Sequence, residues 1–418
     1  MLIRFEVENF RSIRESAELS MVAVDEDRAE ARRHERIRAS LVPAAGIFGP
    51  NASGKSNMLS ALMWLRNAVA DSLRGWEESI PVEPFAFGEA ASEDMSFILD
   101  MEIDGVRYEY LLDIGAQRVS YEALFHYPEG RQRRVFERDG EQLEIQRGLG
   151  RLSGARALLT ERTLALSAMR KFDVYEVSAF VDAVVGIQVL GKPLRGSTNF
   201  GYRATLRLFA AGQQEQPALF EVESHSTREE ALAMLKLADL GITDVEIDEV
   251  SRGTRDSTSS NWTRKEPMLV HESKGERKTF DYRNESIGTR AWFELIGPVL
   301  AALKNGRIAL FDEIDASLHP VLTSQLVRMF ESTSSNPRGA QLIFTTHDTN
   351  LLNDLNRDEI WLTEKNADGE TSFAALAEYS GARVRRTSNV EAQYLSGRFG
   401  ALPDVSQPAV LRALGLIA

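Results

Sequence analysis

Two short stretches of this sequence carry residue types whose spacing suits phosphate chemistry. The first is Gly49-Pro50-Asn51-Ala52-Ser53-Gly54-Lys55-Ser56, which follows G-x-x-x-x-G-K-[ST]. Its glycines let the backbone wrap closely round a phosphate, so that the N–H groups and the start of the next helix face the anion. Lys55 would reach the outer phosphates and Ser56 would ligate magnesium. Asn51, Ala52, Ser53, Gly54 and Asn57 complete the expected contacts to a bound nucleotide. The second stretch is Ile308-Ala309-Leu310-Phe311-Asp312-Glu313, four apolar residues that end in two acids. A buried strand of this kind would bring Asp312 to the magnesium shell and Glu313 to an attacking water. Hydrolysis of a phosphoanhydride needs both, a metal to neutralise charge and a carboxylate to orient or deprotonate water.

The elements that must position these residues are visible in the hydrophobic pattern. Ile3, Phe5 and Val7 alternate with Arg4, Glu6 and Glu8, the period of a half-buried strand. A strand near Ala45–Phe48 runs into the glycine-rich turn, and Met58, Leu62, Leu65 and Val69 then recur at helical spacing over 57–70. Short alternating segments from Met95 to Leu143, with Asp104-Gly105 and Asp139-Gly140 between them, predict an antiparallel sheet of hairpins. Thr160–Val185 and Arg228–Leu240 read as helical, Ile242–Val250 and Met268–Tyr282 as strands, and the polar stretch Ser251–Lys265 as a mobile loop. Beyond Ala291, helices alternate with strands at Arg307–Phe311, Gln341–Thr345 and Ile360–Glu364, as in a parallel sheet.

The chain has 418 residues, 43% of them hydrophobic and 27% charged, values that allow a large soluble core. No apolar run approaches the roughly 18 residues of a membrane span, and the start does not read as a signal peptide, so a cytoplasmic protein is expected. There are no cysteines, which excludes disulfides, thiolate metal sites and cysteine nucleophiles. The net charge of −13 should repel nucleic acid overall. Basic clusters at Arg28–Arg38, Arg131–Arg134 and Arg383–Arg386 are read as solvated faces balanced by nearby acids.

The order of the remaining motifs resembles the ABC-type ATPases of the SMC, RecF and OLD group. Glu285-Ser286-Ile287-Gly288-Thr289-Arg290 matches their signature turn at Ser286 and Gly288 and departs from the transporter form at Ile287 and Thr289. The same residues would also make an ordinary serine N-cap; the order of motifs favours the signature. Asp315, in Ile314-Asp315-Ala316-Ser317-Leu318-His319-Pro320, stands where the family has its D-loop. His347, in Thr345-Thr346-His347-Asp348, stands where it has a γ-phosphate-sensing histidine. Asn9-Phe10-Arg11-Ser12 resembles the family's opening turn, which implies a place for Arg11 near the base. No glutamine can be assigned to the family's magnesium-side glutamine loop.

The resemblance implies an α/β fold, an ABC-type P-loop ATPase head with a mixed sheet, an antiparallel β subdomain and a partly helical insertion. The expected division is 1–149 for the first part of the head, 150–240 for the insertion, and 241–418 for the rest of the head. The stretch after His347 is too short for the Toprim nuclease domain of OLD proteins. Glu391-Ala392-Gln393-Tyr394-Leu395-Ser396-Gly397-Arg398-Phe399-Gly400-Ala401-Leu402-Pro403 instead resembles the end of stand-alone ATPases of the RloA, AbiL and PARIS kind, from bacterial anti-phage systems. That implies ATP and Mg2+ as cofactors, catalytic roles for Glu313 and His347, and dimers or larger oligomers closed around ATP. It also implies a separate Toprim-like effector, with DNA or a phage-encoded molecule as candidate trigger and no membrane partner. Two other readings stay open, a RecF-like ATPase of DNA ends and a nucleotide-gated scaffold with little turnover.

Overall fold

The computed structural model describes every residue except 27, 192–199, 211–220, 252–262, 317, 380–388, 403–410, 413 and 418. The chain begins with β1 (Leu2–Glu8), β2 (Ala17–Ser20), the small hairpin β3 (Arg32–His34) and β4 (Ala39–Leu41), then β5 (Ala44–Phe48) and helix α1 (Lys55–Gly75). A meander follows, with β6 (Met95–Ile103), β7 (Val106–Ile114), β8 (Val119–Tyr127), β9 (Arg133–Asp139) and β10 (Gln142–Ile145), and then α2 (Ala165–Met169) and α3 (Tyr175–Val185). Next come β11 (Gln188–Leu190), α4 (Phe200–Ala210), α5 (Glu221–Ala238), β12 (Ile242–Ser251), β13 (Thr263–Ser273), β14 (Glu276–Asp281), α6 (Ile287–Asn305), β15 (Ile308–Phe311) and α7 (Pro320–Glu331). The chain finishes with β16 (Gln341–Thr345), β17 (Ile360–Lys365), β18 (Thr371–Ala375) and α8 (Val390–Leu395).

These elements form two compact units, Met1–Ile187 with Gln341–Ala418, and Gln188–Ala340. In the first, the antiparallel strands run in the order β10-β9-β8-β7-β6-β1-β2. Ile3, Phe5 and Val7 of β1 are buried on the core face, as their alternation requires. The hairpin between β6 and β7 turns at Asp104 (φ 51°) and Gly105 (φ 79°), left-handed conformations that an Asp-Gly pair accepts at little cost. The other layer of this unit has β5 flanked in parallel by β16 and β17, with β18 antiparallel to β17. All five residues of β5 and of β16 are buried. Helix α1 buries Met58, Leu62, Leu65 and Val69, the apolar stripe read from the sequence, and with them Leu59.

In the second unit, β11 and β15 pair in parallel and β12-β13-β14 make an antiparallel sheet. Helix α6 supplies its core with Trp292, Phe293, Ile296, Val299 and Leu303. Pro298 inside α6 lacks an N–H and crowds the carbonyl of the preceding turn. Beside it, Thr205 Oγ1 accepts from Gly297 N at 2.8 Å and donates to Phe293 O at 2.7 Å, bridging the neighbouring i, i−4 pair.

The fold class is therefore α/β with a mixed sheet and an antiparallel β subdomain, as expected, but several element boundaries differ. Met268–Tyr282 is a hairpin and not one strand; Lys274 (φ 53°) and Gly275 (φ 81°) turn the chain between β13 and β14, and alternation on both sides hid the break. The helical stretch expected at Thr160–Val185 is α2 and α3, separated by a turn at Asp173 (φ 40°). Of the polar loop Ser251–Lys265, Ser251 ends β12 and Thr263–Lys265 begin β13. The basic cluster Arg383–Arg386 and the Pro403 end of the tail motif lie outside the described residues. Residues 150–187, grouped by sequence with the insertion, lie in the first unit.

Candidate functional site

The glycine-rich turn leaves β5 at Phe48 and enters α1 at Lys55. Gly54 is left-handed (φ 105°), and a Cβ there would collide with Thr371 Oγ1; a Cβ on Gly49 would collide with Thr363 Oγ1. Both glycines are thus required by side chains more than 300 positions away. Ala52 is also left-handed (φ 62°), which curls the loop over the helix start. Lys55 is only 6% exposed, and its ammonium donates to the carbonyls of Gly49 and Pro50 at 2.8 and 3.0 Å. The lysine therefore lies over the concave loop that its own helix N-terminus faces, with the first-turn amides of α1 turned to the same side.

Two hydroxyl relays hold this loop. Thr371 Oγ1 donates to Ser53 O at 2.8 Å. Its single proton is then spent, so the 2.7 Å contact with Ser12 must have Ser12 Oγ as donor, and Ser12 in turn accepts from Asn57 Nδ2 at 2.6 Å. In the second relay Thr363 Oγ1 donates to Phe48 O at 3.2 Å and so accepts from Ser53 Oγ at 2.5 Å. Ser12, Thr363 and Thr371 are site residues that the sequence reading leaves out. Threonine at alternate strand positions carries no signal of its own, and Ser12 was visible only as part of the opening turn.

That opening turn is anchored at its base. Asn9 and Arg11 are both left-handed (φ 53° and 52°). Asn9 Nδ2 donates to the carbonyls of Ala90, Glu93 and Asp94, and its Oδ1 accepts from Phe85 N. Arg11 pairs with Glu83 at 2.7 Å through Nε, so its guanidinium is already engaged by an acid. On the other side of the P-loop strand, β16 is in register with β5 as Thr345 opposite Ile47. Thr346 N donates to Ile47 O at 3.2 Å, so exposed His347 follows directly at the same carboxyl-terminal strand edge as the P-loop. P-loop and His347 therefore share one edge of the first unit.

The second unit carries the other motifs. Every residue of β15 is buried, so the strand is fixed and its end is the first place where charge can reach solvent. There Asp312 is half-buried and Glu313 exposed. Glu313 is left-handed (φ 52°), a conformation uncommon for a non-glycine residue that reverses the chain at the strand end. Ala316 N closes the turn on Glu313 O at 2.9 Å, with half-buried Asp315 inside it. Ser286 is the N-cap of α6, its Oγ accepting from Thr289 N at 3.0 Å and meeting Thr289 Oγ1 at 2.8 Å. The cap is thus real. It still leaves Ser286 and the apolar side chain of Ile287, 73% exposed, at the surface beside Gly288 in the first turn. A cavity of about 490 Å³ is lined by Ile287 and Arg290 from this helix start and by Asp312 and Glu313 from the strand end.

Within the second unit β11 pairs with β15 and leaves the sheet at Leu190, opposite Phe311. The residue at that exit is Gly191; the glutamine of this strand is Gln188, opposite Ala309.

The concave loop, its buried lysine and Ser56 in the first turn of α1 fit a nucleotide triphosphate with its divalent ion, on the chemistry of the donors: amides and an ammonium for phosphate, a serine hydroxyl for magnesium. The family described as "AAA domain, putative AbiEii toxin, Type IV TA system" matches residues 44–353. Among solved structures, the SMC head domain from Thermotoga maritima aligns at 13% identity and a TM-score of 0.40, covering 90% of this chain and 98% of that one. An SMC head bound to the C-winged helix domain of ScpA aligns at 14% identity and a TM-score of 0.41, covering 90% and 97%. No curated protein matches the chain.

Proposed function

The chain belongs to this AAA-domain family, and from that premise we propose that it is an ABC-type ATPase that hydrolyses ATP at a site shared between two copies and so controls a separate effector. The observation that carries the proposal is the P-loop cradle, in which Lys55 lies buried over a loop whose two glycines leave no room for a side chain. In this role Asn51, Ala52, Ser53 and Gly54 present backbone N–H groups to the phosphates and Lys55 offsets their charge. Asn57 and Arg11 bound the nucleotide side of the opening turn. Ser56 and Asp312 are the oxygen ligands for Mg2+, which when bound neutralises phosphate charge during transfer. Glu313 orients the attacking water and accepts its proton. His347 stands by the γ-phosphate.

Ser286 and Gly288 face a nucleotide held by the second copy, with Asp315 at the same junction. The surface exposure of Ser286 and of Ile287 beside it supports this. The anti-phage role and a Toprim-like partner rest on the resemblance of the chain's tail alone.

The test is complementation between two dead variants. Lys55→Ala should lose ATP binding, and Ser286→Arg should bind ATP but not turn it over. Mixed, they form one composite site with intact Lys55 and intact Ser286, and activity should return in part. Full turnover by Ser286→Arg alone would overturn the shared site. Wild-type ATP affinity in Lys55→Ala, measured by calorimetry, would overturn the cradle.

A further inference from the structure

Asp239, His271 and Glu285 reach one point of the second unit from three separate segments. Asp239 follows the last residue of α5, His271 lies in β13, and Glu285 directly precedes the N-cap of α6. One ligand atom from each lies within 4.8 Å of the other two. His271 Nε2 and Glu285 Oε1 are 2.9 Å apart, and their side chains are 23% and 10% exposed. The Phe280 ring packs edge-on against the imidazole at 5.2 Å and shields one side of it. Asp239 N is still bonded back to Leu235 O, so its carboxylate sits at the carbonyl end of α5. An acid is disfavoured there and a cation is favoured. One carboxylate oxygen is held in place by Gly241 N–H at 2.8 Å.

We propose that these three side chains form a site for a first-row divalent transition metal of the zinc and cobalt class. One imidazole and two carboxylates suit those ions, whereas magnesium prefers an all-oxygen octahedron and keeps its waters. A tetrahedral ion about 2.1 Å from each ligand spaces the ligand atoms about 3.4 Å apart. The His271–Glu285 pair would open by about 0.5 Å, and the widest pair would close by no more than about 1.4 Å, shifts that side-chain rotation supplies. Three protein ligands leave the fourth position to water. The bound ion joins the end of α5, the middle strand of the three-stranded sheet and the residue next to Ser286. It therefore pins the turn that begins α6.

The test uses untagged full-length protein titrated with Co2+ in excess Mg2+, read by visible absorption. One Co2+ per chain is expected, with the intense bands of four-coordinate cobalt, displaced by Zn2+. Asp239→Asn, His271→Ala and Glu285→Gln should each weaken Co2+ binding about tenfold or more. Glu285→Gln keeps the side-chain shape, and its unfolding midpoint without metal checks that the fold is intact. Zn2+ should raise the unfolding midpoint of the wild type and not that of Glu285→Gln. Absence of the cobalt bands in the wild type, or equal affinity in all four proteins, would show a plain histidine–glutamate pair and overturn the site. None of these readouts needs ATP, so their failure leaves the ATPase proposal standing, and the reverse also holds.

Discussion

Thr371→Val removes one hydroxyl and keeps the volume, and it cuts the relay that ties β18 to the P-loop. In the wild type this hydroxyl donates to Ser53 O at 2.8 Å and accepts from Ser12 Oγ at 2.7 Å, while Ser12 accepts from Asn57 Nδ2. The valine leaves the Ser53 carbonyl, at a residue only 1% exposed, without that partner. An orphaned buried acceptor costs about 1–3 kcal/mol, and every 1.4 kcal/mol is about a factor of ten in an equilibrium constant. The loop can recover part of that by opening towards water, which is also the movement that spoils a phosphate cradle. The expected result is a fall in ATP affinity of about tenfold, measured by calorimetry with Mg2+, with a small drop in unfolding midpoint without nucleotide. Thr371→Ser keeps both hydrogen bonds and should bind ATP like the wild type. If Thr371→Val binds ATP with wild-type affinity, the relay does not shape the cradle. If it loses stability but not affinity, the hydroxyl holds the strand and not the loop, and the reasoning from relay to binding fails.

Three further outcomes are expected. Glu313→Gln should keep ATP affinity and lower the hydrolysis rate by about 10²–10⁴, the usual contribution of a positioned base; an unchanged rate would remove Glu313 from the chemistry. Ser286→Asp should separate cap from signature, since aspartate caps a helix as well as serine but repels a phosphate. Its unfolding midpoint should stay near the wild type while steady-state turnover is lost. Glu122 is buried against Tyr110 and the first amides of α2, and burial raises its carboxyl above the usual range despite those bonds. A raised folded pKa adds stability that is fully present below the unfolded value and is lost as pH rises through the folded one. The stability of the wild type relative to Glu122→Gln should therefore be greatest near pH 4 and shrink towards neutral pH in denaturant titrations; a difference independent of pH would refute it.

The sequence by itself determined the parts whose chemistry is local. A P-loop works through consecutive backbone amides, so residues 49–56 announce the turn. The buried run of β15 ending in Asp312 and Glu313 is equally local, and the cap at Ser286 needs only the four residues that form it. Alternation in β1 and the meander, and the stripe of α1, follow from burial on one face and appear at the same periods in sequence and structure. Only the tertiary structure decided what braces these parts. Thr363 and Thr371 are ordinary strand residues until β17 and β18 bring them under Gly49 and Gly54, because a hydrogen bond depends on distance in space and leaves no trace in spacing along the chain. The hairpin at Lys274-Gly275 escaped the pattern for a related reason, since a period of two continues unbroken through a tight turn. The meeting of Asp239, His271 and Glu285 likewise exists only once a helix end, a strand and a turn have packed together.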